Sequence, residues 1–175
     1  MNLPNLLSLF RLFLTAFFIL AISYQRYQLA LILFVAQAIS DLLDGFFARM
    51  MQQKTDLGAY LDPLADKVML VSSYLVLGFQ QIIPFWLVAI VLLRDFVVSV
   101  GFLFLHVWLG RMVPAPSLLG KASTLFQMIT VLYILVSTTR EFQSYFFYAT
   151  ASLTVLSGFQ YILLGFTALF RKETV

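Results

Sequence analysis

The sequence predicts an all-α integral membrane protein with six transmembrane helices and a short N-terminal interfacial helix. Hydrophobic residues make up 62% of the chain and charged residues 11%, against roughly 45–50% and 25% in soluble domains. The 175 residues accommodate about six spans of about 20 residues each. Polar turns also separate the apolar runs at regular intervals. We therefore expect one membrane domain covering residues 1–175.

The first half of the chain predicts three spans. Leucines at helical spacing within residues 1–12 indicate the interfacial helix, and the first span covers residues 7–24. The second span covers residues 29–50, and a polar loop follows it at 51–61. Asp62-Pro63 is expected to open the third span, because Asp is a favoured N-cap and Pro suits the first helical position.

The second half predicts three more spans. The third span ends near Gln80, and the fourth runs from about Pro84 to about Trp108. A loop with two prolines follows at 110–120, and Lys121 begins the fifth span, which ends near residue 136. The sixth span fills residues 145–170. Six spans place both termini on one side of the membrane.

The distribution of the eleven basic residues predicts the orientation. Only Arg26 and Arg140 fall in turns on the other side, and Arg94 falls mid-span. The positive-inside rule therefore places both termini in the cytoplasm and indicates a bacterial inner membrane protein. The modest net charge of +3 favours lipid headgroups or phosphates as partners, and not nucleic acid. The residues on the expected cytoplasmic side are Arg11, Arg49, Lys54, Lys67, Arg111, Lys121, Arg171 and Lys172.

Acidic residues cluster between the second and third spans. Five of the eight acids in the chain, Asp41, Asp44, Asp56, Asp62 and Asp66, fall in this window. Helical spacing places the first two on one face, and the last two lie one turn apart. Converging carboxylates repel one another unless cations lie between them. Oxygen ligands without His or Cys favour Mg²⁺, Mn²⁺ or Ca²⁺, and a metal-bound pyrophosphate is the natural substrate.

The same window resembles the signature of the CDP-alcohol phosphatidyltransferase family. It reads Asp, two residues, Asp-Gly, two residues, Ala-Arg, eight residues, Gly, three residues, Asp, three residues, Asp. Four other segments are similar to the anionic-phospholipid branch of that family. These segments are Pro4–Arg11, Ala65–Lys67, Arg94-Asp95 and Gly120–Gln127.

This resemblance implies a reaction and a set of site residues. An acceptor hydroxyl attacks the lipid-side phosphorus of CDP-diacylglycerol, CMP leaves, and two Mg²⁺ or Mn²⁺ ions assist. Metal ligands would be Asp41, Asp44 and Asp62, while Asp66 would be the general base and a further ligand. The resemblance also implies a homodimer. The nucleotide site would be lined by Gly45, Ala48, Arg49 and Gly58.

Two acceptors remain open at this point. Phosphatidylglycerol would give cardiolipin, and glycerol 3-phosphate would give phosphatidylglycerophosphate. Synthases of the second kind usually carry Arg-Glu where this chain has Arg94-Asp95, with another Arg where it has Phe102. We therefore expect a cardiolipin synthase, with Arg94 and Lys121 binding the acceptor phosphate. The alternative is a structural Arg94–Asp95 pair and a Lys121 that snorkels to the headgroups.

Three further interpretations compete with this one. The acids could pair structurally with arginines, although few basic residues lie within helical reach. An intramembrane aromatic prenyltransferase also uses Asp-rich motifs, but it needs about nine spans. A small cation transporter would carry acids at membrane depth on several spans, whereas here they cluster at one interface.

Overall fold

In a computed structural model, the described backbone covers residues 3–51, 56–109, 117–137 and 141–170, and side chains are described for most of these. Those ranges contain helices and no β-strand. The helices are α1 (Leu3–Ser23), α2 (Tyr27–Met51), α3 (Asp56–Phe79), α4 (Phe85–Leu109), α5 (Leu118–Val136) and α6 (Gln143–Phe170). The described ranges agree with the expected all-α class, and their six helices lie where the six spans are expected.

The chain forms two compact units. The first contains Met1–Ile83 and Val131–Thr138, and within it α1 packs against both α2 and α3. The second contains Pro84–Thr130 and Thr139–Val175, and within it α4 packs against α6. Among the described side chains, charged groups pair within each unit: Arg11 with Asp41 and Asp66 in the first, and Arg94 with Asp95 in the second.

Two turns in the first unit share one geometry. Gln25, after α1, has a φ of 58°, and its N–H donates to the Ile22 carbonyl at 2.9 Å. The next N–H, from Arg26, reaches back to the Ala21 carbonyl at 2.8 Å. Gln81 repeats this φ and this pattern after α3. The left-handed residue and the two hydrogen bonds satisfy the last carbonyls of each helix, so each chain reversal is tight.

Helix α1 runs without interruption from Leu3 to Ser23. Residues 3–12 are therefore helical, as the sequence suggests, but they continue without a break into the first expected span, and their interfacial position stays a prediction. Pro4 lies in the first turn, where a missing N–H is tolerated. No glycine or proline follows it before Ser23, so no residue in this segment favours a break between an interfacial helix and a span.

Helix α3 begins at Asp56, six residues before the Asp62-Pro63 start that the sequence suggests. Pro63 therefore lies inside the helix, where it leaves one carbonyl without its usual N–H donor. An acid at Asp56 favours a helix start at that position. Asp62 and Asp66 keep their one-turn spacing, but the helix N-terminus is too distant to stabilise their charges.

The start of α5 also precedes its expected position. The helix begins at Leu118 and not at Lys121, because Ser117 caps it. The Ser117 Oγ accepts a hydrogen bond from the Gly120 N–H at 3.0 Å, which satisfies one of the free donors of the first turn. Lys121 consequently lies at the end of the first turn of α5.

Two helical segments in the described part of the chain are long and apolar enough to cross a membrane, Leu118–Val136 and Gln143–Thr167. Shorter apolar segments occur at Leu9–Ser23 and Tyr27–Asp41. Large apolar side chains are exposed along the helices, as on α1 at Phe13, which is 59% exposed. These surfaces suit a lipid environment. The six-span count and the cytoplasmic termini stay predictions.

Candidate active site

Arg11 joins the three helices of the first unit. It lies on α1, and its side chain is fully buried at 0% exposure. Its Nη1 lies 3.1 Å from the Asp41 Oδ1 on α2. The same nitrogen donates a hydrogen bond to the Asp66 Oδ1 on α3. One guanidinium nitrogen therefore brings together two acids that are separated by 25 positions in the sequence.

The charges explain why these side chains belong together. A buried arginine is strongly unfavourable unless it is paired and hydrogen-bonded. Two carboxylates this close would repel each other without a cation between them. Both carboxylate side chains are 36% exposed. The two acids are therefore accessible from outside the helices, whereas Arg11 is not.

A neutral pair one turn away supports this arrangement. Thr15 Oγ1 lies 2.7 Å from Gln37 Oε1 on α2 and 2.9 Å from the Arg11 carbonyl oxygen. Gln37 in turn donates to the Leu33 carbonyl at 3.2 Å. Because Thr15 follows Arg11 by one turn and Gln37 precedes Asp41 by one turn, this contact aligns α1 and α2 so that Arg11 lies beside Asp41.

The structure brings together two of the four predicted metal ligands, Asp41 and Asp66. The backbones of Asp44 and Asp62 lie in α2 and α3, but their side chains lie outside the described residues. Among the side chains that are described, no three His, Asp or Glu residues form a metal-binding group. The predicted nucleotide-binding residues also have helical backbones and undescribed side chains: Gly45, Ala48 and Arg49 on α2, and Gly58 on α3.

The arrangement of Asp41 and Asp66 fits a divalent cation. Their Oδ1 atoms converge on one buried arginine nitrogen, so a cation on the exposed side of the two carboxylates would meet hard oxygen donors from two helices. Carboxylate oxygens are the ligands that Mg²⁺ and Mn²⁺ prefer, and Mg²⁺ usually needs only one or two of them besides phosphate oxygens.

Arg94, a predicted acceptor ligand, lies on α4 in the second unit. Its Nη1 donates to Asp95 Oδ1 at 2.7 Å, and its Nη2 donates to Ser157 Oγ on α6 at 2.9 Å. The Arg94–Asp95 pair that the structural alternative requires is therefore present. The Arg94 Nε is buried and has no hydrogen-bond partner among the described residues, so donor capacity remains. Lys121 lies on α5 with an exposed side chain.

Sequence reasoning missed Arg11 as a site residue. It treated this arginine as one of several cytoplasmic charges that mark orientation. The available signal was its position: Arg11 follows an apolar turn and precedes the apolar run of α1, and an ionisable residue at such a position needs a partner. Which of the acids would be that partner follows only from the packing of α1 against α2 and α3.

Comparisons with known proteins agree on one family. The family model described as CDP-alcohol phosphatidyltransferase matches residues 1–156. A CDP-diacylglycerol–glycerol-3-phosphate 3-phosphatidyltransferase of Aquifex aeolicus is 35% identical, over 98% of this chain and 100% of the relative. Enzymes with the same name from Pectobacterium atrosepticum and Escherichia coli K12 are 36% and 35% identical, each over 92% of this chain and 93% of the relative.

Proposed function

The chain belongs to the CDP-alcohol phosphatidyltransferase family, and from this premise we propose that it transfers a phosphatidyl group from CDP-diacylglycerol to glycerol 3-phosphate. The products would be phosphatidylglycerophosphate and CMP. The enzyme class follows from the family, and the chain is a transferase of phospholipid biosynthesis. The acceptor is the part that we propose.

The relatives support glycerol 3-phosphate over the phosphatidylglycerol that the sequence led us to expect. All three relatives described above are named for glycerol 3-phosphate. The expectation of phosphatidylglycerol depends on two positions, Asp95 in place of Glu and Phe102 in place of Arg. Similarity along more than nine-tenths of the chain is stronger support than two positions. One of the two changes is also conservative, since Asp95 keeps a carboxylate beside Arg94.

The observation that carries the catalytic proposal is the meeting of Asp41 and Asp66 at Arg11. In this proposal Asp66 takes the proton of the acceptor hydroxyl as its oxygen attacks the lipid-side phosphorus. A new P–O bond to the acceptor forms, and the P–O bond to CMP breaks. Asp66 is partly exposed, which allows the acceptor to reach it. Arg11 holds this carboxylate and that of Asp41 in fixed positions from the buried side.

We propose that Asp41, Asp44, Asp62 and Asp66 hold two Mg²⁺ or Mn²⁺ ions. Bound there, the ions would bind the pyrophosphate and stabilise the charge that develops on its oxygens. Gly45, Ala48, Arg49 and Gly58 would accommodate the cytidine nucleotide. Gly45 and Ala48 lack bulk, so a ligand can approach the α2 backbone closely. Arg94 and Lys121 would bind the phosphate of the acceptor.

The proposal includes a place in the cell. The basic residues on the expected inner side put the acidic cluster at the cytoplasmic face of a bacterial inner membrane. Glycerol 3-phosphate and CMP are water-soluble, so a site on that face can exchange both with the cytoplasm while the lipid substrate stays in the bilayer.

The experiment that tests the acceptor compares two substrates on the purified protein. CDP-diacylglycerol and Mg²⁺ are supplied with either glycerol 3-phosphate or phosphatidylglycerol, and both CMP release and the lipid product are measured. We expect phosphatidylglycerophosphate with the first acceptor and no cardiolipin with the second. Cardiolipin formation would instead establish the other acceptor, and no CMP release with either acceptor would reject the proposal.

A further inference from the structure

Two side chains of α6 surround the guanidinium of Arg94. Ser157 Oγ accepts a hydrogen bond from Arg94 Nη2 at 2.9 Å. The ring of Tyr161, one turn further along α6, has its centroid 5.8 Å from Arg94 Cζ, within the range of a cation–π interaction. Gly158 lies between them, and a Cβ there would be 3.5 Å from Arg94 Cγ. The aliphatic part of Arg94 therefore passes close to the α6 backbone.

Tyr161 also joins Arg94 to the beginning of α5. Its hydroxyl oxygen accepts a hydrogen bond from the Ser117 N–H at 3.3 Å. Arg94 Nη2 lies 3.4 Å from the carbonyl oxygen of Gly120, in the first turn that Ser117 caps. One tyrosine thus contacts both the arginine and the residue that starts the helix carrying Lys121.

Polar side chains along α6 extend this contact away from Arg94. Thr150, Thr154, Ser157 and Tyr161 recur every three or four residues, so they share one face of α6. Thr150 Oγ1 lies 2.6 Å from Thr130 Oγ1 on α5, and Thr154 Oγ1 accepts from Ser123 and Gln127 at 3.2 and 3.1 Å. These pairs together align α6 with α5, and Thr154 also accepts from Gln127, so the alignment does not depend on Ser123 alone.

We propose that Ser157 and Tyr161 are positioning residues for the acceptor: they hold Arg94 and the first turn of α5 in the arrangement that binds the acceptor phosphate. This inference rests on the proposed function, in which Arg94 and Lys121 bind that phosphate. Ser157 restrains the rotation of the guanidinium by accepting from Nη2. The ring of Tyr161 restrains the plane of the Arg94 guanidinium. Its hydroxyl, which accepts from the Ser117 N–H, keeps the start of α5 beside Arg94.

The chemistry of arginine makes this restraint important. A guanidinium recognises phosphate through a planar fork of N–H donors, so its orientation decides how many of them reach the oxygens. Asp95 accepts from Nη1, while Ser157 and the Gly120 carbonyl accept from Nη2, and Nε is a buried donor without a partner among the described residues. A rotated guanidinium would present different donors to the phosphate and bind it less well.

The test measures steady-state kinetics of Tyr161→Phe and Ser157→Ala with glycerol 3-phosphate and CDP-diacylglycerol varied separately. Each variant removes one hydrogen bond, so we expect KM for glycerol 3-phosphate to rise about fivefold. We expect kcat and KM for CDP-diacylglycerol to stay within about twofold. The lost contact would weaken binding of glycerol 3-phosphate equally in the ground state and the transition state, and it would not involve the lipid substrate. Tyr161→Leu, which also removes the ring, should raise KM further.

Matched variants separate positioning from a purely structural role. Tyr148→Phe alters an exposed tyrosine of α6 that stacks on Trp86, and Ser123→Ala alters a buried serine that bonds Thr154 without contacting Arg94. Neither should change KM for glycerol 3-phosphate. In an Arg94→Lys background, Tyr161→Phe should add little to the KM, since a residue that acts through Arg94 is coupled to it.

Each outcome decides between the alternatives. An unchanged KM for glycerol 3-phosphate in both Tyr161→Phe and Ser157→Ala would overturn the inference while leaving the proposed function intact. The inference would also be overturned if the effects of these variants on KM added fully to that of Arg94→Lys. A fall in kcat that is the same whichever substrate is varied would overturn it as well. A wild-type protein that does not use glycerol 3-phosphate at all would overturn the proposed function and this inference together. If Tyr161→Phe does not fold, Ser157→Ala alone decides the question.

Discussion

Arg11 is the residue on which the geometry of the acidic cluster depends. Its buried guanidinium lies between Asp41 and Asp66 and offsets the repulsion between them. A divalent cation bound to the same two carboxylates would also offset this repulsion. The arginine and any bound metal therefore act on the same two carboxylates, the arginine from inside and the metal from the exposed side.

Replacing Arg11 by Met should destabilise the protein in a metal-dependent way. The variant keeps the side-chain volume but leaves two carboxylates without their cation. Because these carboxylates are partly exposed, we expect a loss of about 2 kcal/mol, below that of a fully buried pair. Added Mg²⁺ should restore part of the loss. Thermal unfolding in detergent with Mg²⁺ or with EDTA measures both effects.

Arg26→Met is the matched control, since Arg26 is exposed in the turn before α2. It should unfold like the wild type with or without Mg²⁺. If Arg11→Met matched the wild type under both conditions, the ion pairs described here would contribute nothing to folding.

Asp41→Asn should lower activity by about 100-fold or more. An amide cannot replace the negative charge of a metal-binding carboxylate, and metal stabilisation of the reaction is worth several kcal/mol. CMP release at saturating CDP-diacylglycerol checks this, with Mg²⁺ varied over a wide range. Glu141→Gln, at an exposed acid before α6, serves as the control and should keep full activity. Full activity in Asp41→Asn would remove Asp41 from the metal site.

The contact of α5 with α6 shows how a helix start can depend on a neighbouring helix. Gly120 lies in the first turn of α5, and a Cβ there would be 2.8 Å from the Tyr161 Oη and 3.0 Å from Ser117 Oγ. These distances are shorter than normal contacts, so a side chain at position 120 would displace the tyrosine hydroxyl. Glycine is needed here for close approach, and not for an unusual φ.

Gly120→Ala should therefore raise KM for glycerol 3-phosphate while changing stability little. The alanine gains up to about 1 kcal/mol of helix propensity, which offsets the cost of shifting the end of the Tyr161 ring and the Ser117 hydroxyl. Its effect on KM should not add to that of Tyr161→Phe, because both act on the same hydroxyl. Gly165→Ala is the matched control, since a Cβ there meets nothing within 4 Å. Fully additive effects would contradict this interpretation.

At the scale of the whole molecule, membrane insertion accounts for the composition. Polar side chains inside the units pair with one another, as Thr15 with Gln37 and Thr130 with Thr150, while large apolar side chains are exposed. Interhelical hydrogen bonds of this kind help hold helices together where lipid removes the hydrophobic driving force between them.

The expected orientation can be measured by labelling, because the chain contains no cysteine. Leu118 is the first residue of α5 and Glu141 follows its last residue, and both side chains are exposed. Single cysteines at these positions should react differently with a membrane-impermeant maleimide. We expect Glu141→Cys to react in intact spheroplasts and Leu118→Cys to react only after the membrane is opened. The reverse pattern would place the acidic cluster on the outer side.

Local patterns in the sequence are enough to predict the all-α class, the family and the one-turn spacings of the acids, because each depends on periodicity or on residues within one window. They misplace the start of α3, since Asp62-Pro63 has the local character of a helix start while the helix in fact continues through it. The pairing of Arg11 with Asp41 and Asp66, and the contacts of Tyr161 with Arg94 and Ser117, follow only from the packed helices. These partners lie far apart in the chain, and which of many possible charges meet depends on how whole helices pack, which no local pattern specifies.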